Sequence, residues 1–119
     1  MKIEISSVAD AGTLNKERVV MKATGADDIG DYAIFNCVTQ EDRVASGDVP
    51  YAYWFMDMEV NAGDFVVLYT KAGTRSEKKN QNGTVSHFFY WGLEQPLWTP
   101  GKTPVLVHAS EWDFGKPIK

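Results

Sequence analysis

The chain has 119 residues, 44% of them hydrophobic and 24% charged, and its 16 acids against 12 bases leave a net charge of −4 at pH 7. That length suits one domain and leaves no room for two, and the composition is that of a folded globule. The acidic balance argues against a general grip on phosphate backbones, a lone cysteine excludes a disulfide scaffold, and no run approaches the ~20 apolar residues that cross a membrane.

The first residues, Met1-Lys2-Ile3-Glu4-Ile5-Ser6, hold no long apolar run, so no secretory signal is expected and the protein is expected in the cytoplasm. Ile3 and Ile5 alternate with Lys2, Glu4 and Ser6, as in an edge strand. Residues 9–17 and 41–46 are the two places where a turn of helix could form, and neither carries an apolar stripe at helical spacing. In residues 17–24, Val19, Met21 and Ala23 oppose Arg18, Val20 and Lys22, which predicts a strand with one buried face.

The stretch Asp27-Asp28-Ile29-Gly30-Asp31 could offer calcium its oxygen ligands, but the distant Glu of a calcium loop is missing. Asp and Gly are also what a tight turn selects, so a turn is expected, with no metal and no cofactor. Residues 31–39 read as a strand. Its Cys37 has no neighbouring cation to lower the thiol pKa, and it is expected to be a small buried hydrophobe.

Residues 51–60 give the clearest period of two. The even positions Ala52, Trp54, Met56, Met58 and Val60 are all apolar, while the odd ones end in Asp57 and Glu59. The expectation is a single strand with the even face buried. Tyr51, Tyr53 and Phe55 would then form an exposed aromatic row, and such patches mark contact sites.

After the turn Asn61-Ala62-Gly63-Asp64, residues 64–71 and 84–91 are apolar on both faces, which suits central strands. Between them, Lys71, Arg75, Lys78 and Lys79 against Glu77 give +4 and −1, a net +3 on an otherwise acidic chain. A long exposed loop is expected there, able to contact a ligand with Tyr90, Trp91 and Trp98 as stacking faces, or simply to keep a sheet edge soluble. Asn82-Gly83-Thr84 matches a glycosylation sequon but reads as a tight turn. His87 and His108 lie in apolar strands. No nucleophile motif accompanies Ser7, Ser86 or Ser110, so the histidines are expected to be face residues with a satisfied ring nitrogen. Residues 104–110 complete seven candidate strands, and seven short strands with turns between them point to an all-β sandwich or barrel.

Three stretches together resemble lamin tail domains. They are Glu17-Arg18-Val19-Val20-Met21-Lys22, the long run Tyr53 to Gly73 with its strand, Ala62-Gly63-Asp64 turn and second strand, and Leu97-Trp98-Thr99-Pro100-Gly101 leading to Val105-Leu106-Val107. The chain departs from the family at Lys102, where an acid or Asn is usual. It departs again at Thr103-Pro104, whose proline belongs at a first or edge position of a strand. The resemblance implies an immunoglobulin-like β-sandwich of about seven to eight short strands over residues 1–119, without the antibody-type disulfide. It also implies a non-catalytic role, since bacterial modules of this kind commonly accompany hydrolases and nuclear ones bind proteins and DNA.

The expectation is therefore a binding module, monomeric or homodimeric, with no membrane contact. Another protein is the expected partner, met through Tyr51, Tyr53 and Phe55 or through a sheet edge. The alternative is single-stranded nucleic acid or sugar, met through Arg75, Lys78, Lys79, Trp91 and Trp98. A small hydrolase using His87 or His108 comes last.

Overall fold

Val19, Met21 and Ala23 turn inward and are fully buried, so the alternation read in the sequence is realised in the strand that carries it. The computed structural model describes residues 1–41, 43–44 and 47–119. Among them are eleven strands: β1 (Ile3–Ala9), β2 (Arg18–Ala23), β3 (Asp27–Asp28), β4 (Tyr32–Gln40), β5 (Arg43–Val44), β6 (Tyr51–Trp54), β7 (Glu59–Val60), β8 (Phe65–Tyr69), β9 (Ser76–Lys79), β10 (Val85–Tyr90) and β11 (Lys102–His108). A single 3-10 turn, Ile29–Asp31, is the whole helical content of the described residues. The chain is all-β.

Five strands form one sheet in the order β1-β2-β8-β10-β9. Its pairs are antiparallel except β8 with β10, which run parallel with Val66 opposite His87 and Leu68 opposite Phe89. In the second sheet β4 is central. It pairs with β11 along one side and with β5 and β6 along the other, all antiparallel. β3 and β7 form a small two-stranded bridge.

The two sheets pack as a sandwich. Ile3, Val19, Met21, Val66, Leu68 and Phe89 of the first meet Tyr32, Ile34, Phe55 and Leu106 of the second or its continuation. This closure into two layers decides for the sandwich over the barrel. Pro104 falls on β11, an edge strand where its missing N–H costs nothing.

Three expectations change. Residues 9–17 hold no helix. They make a tight turn in which Asp10 and Gly12 take positive φ and the Thr13 carbonyl accepts from Lys16 and Glu17 N–H at 3.0 and 2.7 Å. In 41–46, residues 42, 45 and 46 lie outside the described residues, and Arg43–Val44 pair with β4 as a strand. The loop at 71–83 contains β9, which forms an antiparallel edge on β10 with all four residues exposed, including Lys78 and Lys79.

The fourth change matters most for function. The strand expected over 51–60 stops at Trp54 and resumes at Glu59. Between them, Asp28 Oδ1 accepts from Met58 N–H at 2.9 Å, and the Met58 carbonyl accepts from Ile29 N–H at 2.9 Å. Gly30 permits this close crossing, because a Cβ there would lie 2.6 Å from the Asp57 Cα. The break inverts the assigned faces. Phe55 is buried at 3% exposure, whereas Trp54 is 51% and Met56 55% exposed. Met58 is half-buried at the edge of the core.

Candidate functional site

Solvent-facing sheets normally alternate apolar inward with polar outward. The β11-β4-β6 sheet does not follow that rule on its outer side. Ile34 and Leu106 point to the core, so their neighbours Ala33, Phe35, Val105 and Val107 face away from it, joined by Ala52 and Trp54 of β6. None of these six has a charge or a side-chain polar group other than the Trp54 indole. That indole N–H donates to the Gly30 carbonyl at 2.7 Å, which fixes the ring over the sheet.

The segment after β11 extends this surface. Ala109 N–H donates to the Asp31 carbonyl at 2.7 Å, which extends the β11–β4 ladder by one more pair. Trp112 then meets Trp54 edge-to-face at 4.9 Å between centroids, and Phe114 follows at 6.1 Å from Trp112. Together Ala33, Phe35, Ala52, Trp54, Val107, Ala109 and Trp112 line an open apolar groove of about 260 Å³. Trp112 is 59% and Phe114 78% exposed. Aromatics of this size carry roughly 150–250 Å² each, so Trp54, Trp112 and Phe114 leave on the order of 400 Å² of contiguous apolar surface.

The residues singled out from the sequence are dispersed. Tyr51 is exposed at the start of β6. Tyr53 points inward, half-buried, with its ring edge-to-face on Phe55 at 5.1 Å and on Trp91 at 5.7 Å. Burial pushes its phenol pKa up. Phe55 lies in the core and offers no surface to a partner, so the exposed aromatic row of Tyr51, Tyr53 and Phe55 does not exist. Trp98 is likewise buried, and Trp91 packs against it at 6.4 Å, so neither presents a free stacking face beside the basic residues. Lys78 and Lys79 line the far edge of the other sheet. Arg75 lies over the Phe89 ring at 5.5 Å and donates to the Met58 sulfur.

Two buried carboxylates organise the interior. Glu17, fully buried, accepts from Gly12 N–H at 2.9 Å, Leu97 N–H at 2.8 Å, Trp98 N–H at 3.4 Å and the Thr70 hydroxyl. Asp64 accepts from Asn61 N–H, Val85 N–H and His87 Nε2, each at 3.0 Å. Burial alone would raise the Asp64 pKa, but these three hydrogen bonds outweigh it and hold the carboxyl below its usual range.

His87 thus has one ring nitrogen satisfied, while its Nδ1 lies 3.4 Å from Glu77 Oε2. His108 stacks on Tyr32 at 4.5 Å. Cys37 is buried, and burial with the nearby Asp48 charge raises its thiol pKa, the reverse of what a nucleophilic thiol needs. The acids of 27–31 act as turn caps. Asp28 Oδ1 accepts from Gly30 N–H at 2.8 Å, and Asp27 Oδ2 accepts from the Tyr32 hydroxyl at 2.7 Å. Among the described residues no three His, Cys, Asp or Glu side chains gather closely enough to hold a metal, and no helix is long and apolar enough to cross a membrane.

No known protein family matches the chain, and no curated protein is similar to it.

Sequence reasoning missed the groove because it never weighed the C-terminal segment. The signal was present: Glu111-Trp112-Asp113-Phe114 alternates apolar with acidic residues beyond the last strand, where nothing in a core requires aromatics.

Proposed function

We propose that this chain is a non-enzymatic interaction module that docks another protein on the outer face of the β11-β4-β6 sheet. The observation that carries this reading is the apolar character of that face where a solvent-facing sheet would be polar. A non-catalytic role is supported by the burial of His87 away from any substrate and by the raised thiol pKa of Cys37.

The lamin-tail reading of the fold draws its support from the motif residues themselves. Glu17 binds three separate segments, Gly63 supplies the positive φ of 89° in its turn, and Trp98 fills the core ahead of the turn at Gly101. The module is read as cytoplasmic, monomeric or homodimeric.

A second reading keeps single-stranded nucleic acid or sugar on the outer face of the five-stranded sheet. Tyr69 and Tyr90 stack there at 5.4 Å with Lys71 over Tyr69. Capture from host lysate separates the two. A partner of the apolar face is expected to be lost with Trp54→Asp and kept with Lys78→Glu/Lys79→Glu. Loss in the lysine variant with retention in Trp54→Asp would move the site to the basic edge.

A further inference from the structure

Four carboxylates belong to the segments that carry the bare apolar face. Asp31 precedes β4 and pairs with Ala109 at the end of β11, and Asp57 lies against Gly30, whose carbonyl holds the Trp54 indole. Glu111 and Asp113 flank Trp112 in the chain. Asp31 is half-buried and the other three are exposed, and among the described residues none of the four forms a salt bridge. No lysine or arginine occurs in residues 51–57 or 109–115 to offset them. The segments that carry the apolar floor are therefore acidic, with Lys116 the first base after them.

The same face ends at an open edge. Among the described residues β6 pairs only with β4, so the N–H and C=O groups on its other side are free to accept an added strand.

We infer that this face takes an extended, cationic segment of a partner protein, laid along β6. Its apolar side chains would pack on Trp54 and Trp112, and its Lys or Arg residues would meet Asp31, Asp57, Glu111 and Asp113. The inference rests on the docking reading above and adds the chemistry of the occupant. Other occupants fit less well. A second copy brought face to face by a two-fold axis would bring eight carboxylates into one interface, on a chain already at −4. The chain's own C-terminal segment does not close the groove, since Phe114 stays 78% and Ile118 98% exposed. On this face the sign of the charge opposes nucleic acid.

The test is selection of a random dodecapeptide library on the immobilised full chain, followed by titration of selected peptides using tryptophan fluorescence. The expected peptides are enriched in Lys and Arg around apolar residues spaced two apart, the spacing that places both on one face of a strand. Asp57→Lys/Asp113→Lys is expected to weaken them about tenfold or more. Raising salt from about 0.1 to about 1 M, which shortens the screening length from about 10 to about 3 Å, is expected to weaken them about fivefold.

Trp54→Asp is expected to abolish binding, and Trp112→Ala, in a segment outside the sheets, to weaken it without any risk to folding. An empty selection, or peptides without excess Lys or Arg, overturns the inference. So does self-association by light scattering that Trp54→Asp and Trp112→Ala abolish, because the occupant is then a second copy. Uncharged peptides that still depend on Trp54 and Trp112 leave the docking reading standing and remove only the cationic occupant. Peptides indifferent to both tryptophans remove both.

Discussion

The two sheets of this sandwich turn very different outer faces to solvent. On the five-stranded sheet two of the outward aromatic rings are covered: Lys22 lies over Phe65 at 5.9 Å, and Lys71 and Arg18 lie over Tyr69 at 5.1 and 5.8 Å. Each cation keeps its charge in water while its methylene stem shields a ring, the usual way a long basic side chain makes apolar surface soluble. On the β11-β4-β6 sheet, among the described residues, no cation lies over a ring. Trp54, Trp112 and Phe114 stand open, and the nearby charges are carboxylates, which avoid the electron-rich faces of aromatic rings. The lesson is that aromatic content alone does not mark a contact surface. What distinguishes the second face is the absence of the cations that quench the first.

The sharpest way to break this comparison is within β6 and the residue after it. Phe55→Ala is expected to cost about 3–5 kcal/mol in urea unfolding, the range for deleting a buried aromatic. Trp54→Ala, half-exposed and holding one hydrogen bond, is expected to cost about 1–2 kcal/mol. Equal losses would place Trp54 in the core and erase the bare face.

Titration examines the floor beneath the same face. Burial, with donation to Asp27, pushes the Tyr32 phenol up to about 12. A raised folded-state pKa stabilises the fold fully below the unfolded value near 10, and that contribution is lost as pH rises from about 10 to about 12. The depressed Asp64 and Asp27 carboxyls behave oppositely, with Asp27 lowered chiefly by the Tyr32 hydroxyl. Their contribution is present above about pH 4 and lost as pH falls through their folded values. Tyr32→Phe is therefore expected to cost about 1 kcal/mol at neutral pH and to flatten the alkaline limb. Asp64→Asn is expected to flatten the acid limb, and an alkaline limb unchanged in Tyr32→Phe would refute the assignment.

The smallest effect is expected on the covered face. Lys71→Ala, removing one exposed cation–π contact, is expected to change stability by less than about 1 kcal/mol. It is also expected to increase binding of an apolar dye by uncovering Tyr69. No increase would mean that the cation is not what shields the ring.

Much of the architecture was legible in the sequence because strands with one polar face state their orientation. Residues 17–24 do so through Arg18 and Lys22 against Val19 and Met21, and their burial followed. Residues 51–54 do not, because both faces are apolar there. The sign of the alternation there rests on Asp57, inside the break at Phe55–Met58, and Glu59, beyond it, and parity does not survive an irregular segment. The break itself depends on Gly30 and Asp28, over twenty residues away in the chain, so no local pattern announces it. β3, β5 and β7, of two residues each, are too short for any periodicity to register. The basic stretch was legible as charge but not as a strand, since its partner β10 supplies the pairing.

The bonds of Glu17 also bear on the order in which the protein can be made. Its carboxylate sits at the head of β2 yet takes donors 53, 80 and 81 residues downstream, at Thr70, Leu97 and Trp98. A chain emerging from the ribosome carries Glu17 early and must wait for those donors. β4 waits longer still for β11, which ends at His108. Until then the carboxylate has no reason to leave water, because burying it unpaired would cost several kcal/mol. Synthesis intermediates are therefore expected to stay protease-sensitive in β2 until residue 98 is free of the exit tunnel. A chain stopped at Gln95 that resisted digestion there would show that the carboxylate can be buried without its last two partners.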